Sequence, residues 1–391
     1  MGGASAQVTL YGTVDAALTQ YSSDGDTKTG LGNSQLGSSK IGFMGTEDLG
    51  GGINAIFKLE GGLANDSGNG KASNTSNQAG GSGNGGPGAF TSAGGTQGLV
   101  FQRYSYVGLN GNFGEVRLGR DYTNTFLFAV TTYDVFGTNG PADSSAMTLN
   151  LAGRNALATA ANASNMIGYT SPVMGGATVR LQAFAGENAN NLKYAGSNDG
   201  NGYSAQVGYA AGPLSLSIAQ QQTLGTARAA VNPVLNTTTG AGLATNTGVP
   251  AANGTYTQAA LGGSYDFGMA KVLFLSTRED LVGLTATAYN TTNMIGLNVP
   301  VGAINYKLSY AASTQNAGTA GAKDNAGTLT GLGVDYAMSK RTKLYGTVSN
   351  VTNDGGAAYS AALVGGAAGS TLTSTSNPTS TGLALGIFHT F

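Results

Sequence analysis

Acid/base, nucleophilic and metal chemistry draw on a short set of side chains, and this chain of 391 residues is nearly empty of the most versatile ones. It has no cysteine and a single histidine, His389, third from the end. Without thiols there is no thiolate nucleophile, thiolate metal site or disulfide framework. A protease or lipase would need a nucleophile and a positioned base. The one imidazole shares its parity with Leu385 and Ile387 and is expected to face lipid or a subunit interface, so the chain does not read as an enzyme. Asp24, Asp26, Glu47 and Asp48 offer the oxygen ligands that calcium takes, but their spacing matches no calcium loop, so neither metal nor cofactor is expected. Eighteen Lys+Arg against nineteen Asp+Glu leave a net charge of −1. They form no basic cluster interleaved with aromatics, which speaks against a nucleic-acid partner.

The elements that carry these residues are read from the remaining background. Only 9% of residues are charged, where a soluble domain carries about 25%, and 65 are glycine. A membrane would explain such low charge. No stretch approaches the ~20 consecutive apolar residues of a spanning helix, because Gly, Ser, Thr or Asn interrupts every run, so a bilayer would be crossed by strands. From Gln7 to Tyr21, Val8, Leu10, Val14, Ala16 and Leu18 fall on one parity and Thr9, Thr13, Asp15 and Thr19 on the other, the period of a strand with one apolar face. The pattern returns at Ile53 to Glu60, Leu214 to Ile218 and Ile304 to Tyr310, with about sixteen such segments in all, an even number as bacterial barrels carry.

Short turns at Gly111-Asn112, Gly212-Pro213, Asp266-Phe267-Gly268 and Met338-Ser339-Lys340 alternate with long polar stretches. The long ones run from Asn65 to Gly98, Tyr122 to Ser164, Gly186 to Asn201, Leu224 to Thr255, Gln315 to Thr328 and Asn353 to Thr381. Short turns on one rim and long loops on the other describe an outer-membrane barrel. Lipid cannot satisfy open edge amides, so Gly382 to Phe391 should pair with Gln7 to Tyr21. Tyr21, Tyr122, Tyr265, Phe267, Phe388 and Phe391 suit the aromatic girdles at the membrane interfaces. Ala4-Ser5-Ala6 fits the cleavage site of an exported protein, so residues 1–6 are expected to be a cleavage remnant behind an added start Met, and residues 7–391 one barrel domain.

Several motifs go beyond periodicity: Gly45-Thr46-Glu47-Asp48-Leu49-Gly50-Gly51-Gly52, Asn112-Phe113-Gly114-Glu115-Val116-Arg117-Leu118-Gly119-Arg120, Tyr169-Thr170-Ser171-Pro172, Ser339-Lys340-Arg341-Thr342, the opening Val8-Thr9-Leu10-Tyr11-Gly12 and the closing Phe391. Together, end to end, they resemble the general porins of β-proteobacteria. The resemblance implies an all-β, 16-stranded antiparallel transmembrane barrel in the outer membrane. It also implies a homotrimer in contact with lipid and lipopolysaccharide, and passive diffusion of ions and small hydrophilic solutes. The third loop, here about residues 121–164, would fold inward as the constriction. Phe391 resembles the signal read by the outer-membrane assembly machinery.

In that family a basic wall faces an acidic patch, which the resemblance places at Lys40 and Arg103 against Glu60 and Asp134. Lys40 is out of phase with Ile41 and Phe43, Arg103 with Tyr104 and Tyr106, and Glu60 with Phe57 and Leu59, which directs all three to the lumen. Relatives that favour anions carry a further Arg where this chain has Asn162; Arg117, Arg120, Asp121, Arg154 and Arg180 are further candidate lumen charges. The anion preference expected is therefore weak to moderate. Rival readings are a substrate-specific channel for small organic acids or sugars, for which no aromatic ladder is visible, and a β-rich adhesin. A solenoid of the latter kind would show a fixed repeat, which the irregular spacing lacks.

Overall fold

A computed structural model describes residues 7–23, 25–71, 77, 96–97, 100–149, 158–186, 200–224, 254–282, 287–316, 324–355, 357, 359–361 and 379–391. The expected cleavage remnant at residues 1–6, Arg154, Asp24 and much of the long stretches lie outside these.

Among the described residues nineteen strands follow in order: β1 (Gln7–Ser23), β2 (Asp26–Asn33), β3 (Lys40–Gly50), β4 (Ile53–Ala64), β5 (Asn69–Lys71), β6 (Thr96–Gln97), β7 (Tyr104–Gly111), β8 (Gly114–Tyr122), β9 (Asn162–Thr170), β10 (Ala177–Phe184), β11 (Gly202–Ala211), β12 (Leu214–Leu224), β13 (Thr255–Asp266), β14 (Lys271–Val282), β15 (Thr287–Val301), β16 (Ile304–Gln315), β17 (Asn325–Ala337), β18 (Thr342–Asp354) and β19 (Ser380–Thr390). They make a closed antiparallel barrel of 16 staves. The pieces β2 and β3 lie end to end as one stave against β1, while β5 and β6 form a small ribbon beyond β4. The ring closes where Val14 meets His389 and Tyr21 meets Gly382. Closure leaves no open strand edge toward lipid, and that constraint makes the first and last segments partners.

The alternation read from the sequence sets the two faces. On β1, Val8, Leu10 and Leu18 are 57%, 55% and 67% exposed on the outside, while Thr13, Asp15 and Thr19 are buried within. The polar side is the inner one, the reverse of a soluble sandwich and the expected order for a wall in hydrocarbon. The short turns fall where the sequence placed them, with Gly212 and Gly268 at positive φ. Tyr265 and Phe267 stand exposed at a rim. Tyr21, Tyr122 and Phe388 depart from the girdle expectation: Tyr21 and Tyr122 are buried inside, and Phe388 packs with Leu36 against Ala17, Tyr345 and Ala384.

The alternation of the sequence carries no signal for the break between β2 and β3. Ser34 takes φ 62 and the chain leaves the ladder. Its amides are recovered by Asp15, whose carboxylate accepts Leu36 N at 2.6 Å and Gly37 N at 2.8 Å and is also hydrogen-bonded by Tyr345 Oη. A fully buried carboxylate is stable here because its donors replace water.

Candidate functional site

The described residues between β8 and β9, 123–149 and 158–161, turn into the barrel and lie along the inner wall. Asn124 N donates to Gln182 Oε1 at 2.9 Å, Tyr133 Oη lies 2.9 Å from Ser215 Oγ, and Asn290 Nδ2 donates to Met147 O at 2.6 Å. Asn139 and Gly140 reach the β2–β3 break, where Ser38 Oγ donates to Asn139 Oδ1 at 3.1 Å. The loop can lie this close because the wall beneath it is glycine. A Cβ on Gly331 would stand 2.5 Å from Ala142 Cβ, one on Gly333 2.7 Å from the Phe136 ring, and one on Gly382 2.5 Å from Pro141. On Gly262 it would enter the Tyr133 ring. Ala129, Val130, Tyr133 and Met147 form a buried core with Tyr21, Leu275, Leu329 and Tyr359, the last from the loop between β18 and β19.

Asp134 belongs to this packing. Its carboxylate accepts Phe136 N, Ser144 N and Ser144 Oγ, each at 2.8 Å, so it ties two turns of the loop together and is buried. It does not present a bare acid to the lumen. Asp143 accepts from Ser145 N at 2.7 Å and Ser145 Oγ at 2.5 Å. Burial, and then the neighbouring Asp134 charge, push its carboxyl up to about 8. Burial likewise raises Asp134, against the pull of its donors.

Glu60 also departs from the expected layout. It is buried on β4 beneath the bases, on their own wall: Arg103 Nε lies 2.5 Å from Oε1, and Lys40 Nζ and Lys58 Nζ lie 3.7 and 3.9 Å from Oε2. Tyr11 Oη donates to it at 2.8 Å. The reason is register: Glu60 is opposite Gly42 on β3, two residues from Lys40 on the same face, and opposite Tyr104 on β7. That pairing turns Tyr104 and Tyr106 inward with Glu60 and Lys58, so the phase used for Arg103 does not apply. Arg103 lies before β7 begins, held by its amide N to Glu60 O at 3.1 Å, and its side chain turns inward from irregular backbone.

The cations rest on aromatic faces. Lys58 Nζ lies 3.8 Å above the Tyr104 ring, Arg103 5.3 Å from Tyr122, Arg117 4.7 Å from Tyr106 and Arg180 3.8 Å from Phe128. Such contacts are worth about 0.5–2 kcal/mol each and hold a charge at the lumen without neutralising it. Arg117 pairs with Asp121 at 2.7 Å and with Glu115, and Arg180 donates to Gln206 Oε1 at 2.7 Å. Arg120 is tied off from Nε to Gln102 O at 2.5 Å and from Nη1 to Ser164 Oγ at 2.6 Å.

The chain matches the Gram-negative porin family over residues 2–356. It is 33% identical to outer membrane porin protein 32 of Delftia acidovorans across 99% of this chain and 95% of that one. The chain belongs to the Gram-negative porin family. Its fold superimposes on an anion-selective porin from Comamonas acidovorans with TM-score 0.75 and 29% identity, over 99% of this chain and all of that one. OmpT of Vibrio cholerae in a trimer form shares the fold alone, with TM-score 0.63 and 16% identity over 99% of this chain and 100% of that one.

This porin therefore spans the outer membrane as a general porin, a water-filled route for small solutes. The inner wall around this cluster carries Lys40, Lys58, Arg103, Arg117 and Arg180 against Glu60, Glu115 and Asp121, an excess of two positive charges, while Arg120 is held by Gln102 and Ser164. Asn162 donates through Nδ2 to Arg103 O at 3.1 Å. It braces the backbone that carries a neighbouring base. Sequence reasoning missed the roles of Lys58 and of Tyr11, Tyr104, Tyr106 and Tyr122. The shared parity of Lys58 and Glu60 was the available signal. No group of three His, Asp or Glu residues that could hold a metal occurs among the described residues.

Proposed function

We propose that this porin passes small hydrophilic solutes with a preference for anions, set by Lys40, Lys58 and Arg103 at the constriction. The observation that carries the reading is the surplus of positive charge on one wall, combined with loop acids that are consumed in the loop's own hydrogen bonds. A charged wall beside a low-dielectric barrel keeps its field better than an exposed surface, where salt limits its reach to about 8–10 Å. The 29% identity to a porin described as anion-selective supports the same bias. The working particle is a homotrimer, and Phe391 is its assembly signal. A preference for small organic acids is the second reading, favoured by the tyrosine faces that line the basic wall.

The test is reversal potential and single-channel conductance in a planar bilayer under a KCl gradient. Openings in threes with chloride preference, reduced by Arg103→Ala, support the proposal. Conductance with cation preference overturns it.

A further inference from the structure

The outer wall is not uniform. Across β15 to β19 it holds a groove of about 480 Å³ lined by Leu297, Leu308, Leu332, Val334, Val348 and Leu385. Its depth comes from Gly346, where the outward row of β18 lacks a side chain between Leu344 and Val348; a Cβ there would stand 3.1 Å from Leu385 Cδ2. Leu332 and Leu385 are each five residues from the turn-side ends of their strands. At ~3.3 Å per residue and a strand tilt of about 45°, they lie roughly 12 Å from that rim, inside the leaflet on the side of the short turns. In a Gram-negative outer membrane the short turns are periplasmic and that leaflet is phospholipid.

On the rim toward which the groove's strands run, the turn from β17 to β18 carries Lys340 and Arg341, both exposed and without an ion-pair partner among the described residues. Thr390 N donates to Arg341 O at 2.9 Å, which ties the turn to β19. His389, exposed on the outer parity, has Nδ1 2.9 Å from Thr342 Oγ1. The nearby acid Asp335 is buried and paired with Lys307 at 2.8 Å, and Phe391 is bonded to Gly12 on β1.

We propose that this face holds one anionic phospholipid of the periplasmic leaflet, an acyl chain lying over Gly346 and the phosphate held by Lys340 and Arg341. An apolar groove alone would take any chain; two unpaired cations at the headgroup level select an anionic one.

Native mass spectrometry of the purified porin, titrated separately with phosphatidylglycerol and with phosphatidylcholine of the same chains, tests the proposal. Two cations, each worth about fivefold beside an anionic headgroup, predict roughly a thirtyfold preference for phosphatidylglycerol. The double variant Lys340→Gln with Arg341→Gln should lose it while keeping wild-type conductance, and Gly346→Leu should weaken both lipids. Equal retention of the two lipids by wild type, or a preference that survives the double variant, overturns the proposal. So does a groove occupied by a second copy of the chain: in this cysteine-free protein, Leu332→Cys would then be shielded from a lipid-soluble thiol reagent in the assembled particle but not in the monomer.

Discussion

Replacing Glu60 by glutamine tests the constriction most directly, because the side chain keeps its shape and loses only its charge. Glu60 is the common counter-ion of Lys40, Lys58 and Arg103. With it gone, the field of those three bases on a passing ion is no longer partly cancelled. A unit charge about 6 Å from the ion path, at the dielectric of water, contributes about 0.7 kcal/mol, or roughly threefold in local anion occupancy. The same charge changes potassium occupancy roughly threefold in the opposite sense, so Glu60→Gln should raise the chloride-to-potassium permeability ratio about tenfold, and Arg103→Ala should lower it by a similar factor. Reversal potentials in a tenfold KCl gradient at low and high ionic strength read both changes, and the differences should shrink as salt rises. Retained heat-modifiable migration on gels shows that each variant still forms a barrel. A Glu60→Gln channel that folds, conducts and keeps the wild-type ratio would refute the assignment of selectivity to this cluster.

Three further outcomes follow from the inward loop. Gly331→Val places its new atoms against Ala142 and Phe136 and should dislodge the inward loop, seen as altered single-channel conductance and added current noise with the barrel intact. Asp134→Ala strands three donors, each worth about 1–3 kcal/mol when buried without a partner, and should make the same loop accessible to protease in otherwise folded porin. The Asp143 carboxyl, raised by burial to about 8, favours the folded loop while protonated. Its contribution is full below the ordinary carboxyl pKa of about 4 and is lost as pH rises through 8, so hydrogen exchange of the loop should speed up over that window in wild type and lose this dependence in Asp143→Asn.

Much of the barrel is legible in the residue order. A strand in hydrocarbon must alternate, every edge amide must be paired, and turns must be short on one rim; Val8 to Leu18, the pairing of Val14 with His389, and the turns at Gly212 and Gly268 follow from these rules. Local order also exposes Lys40 and Glu60 as lumen residues, since both sit in regular strands.

What only the tertiary structure decided lies where the ladder stops. Arg103 precedes its strand, and the break at residues 34–39 interrupts another, so parity has nothing to count there; contacts with Glu60 and Asp15, distant in sequence, set those positions. Nor does residue type assign a role to a carboxylate. Glu60 is buried under three cations, Asp134 under loop amides, and Asp15 under the amides of the strand break, because each takes whichever donors the closed barrel brings within reach. Tyr21 and Tyr122 likewise left the expected girdles for the interior, since an inward loop gives their rings apolar partners that an empty lumen would lack.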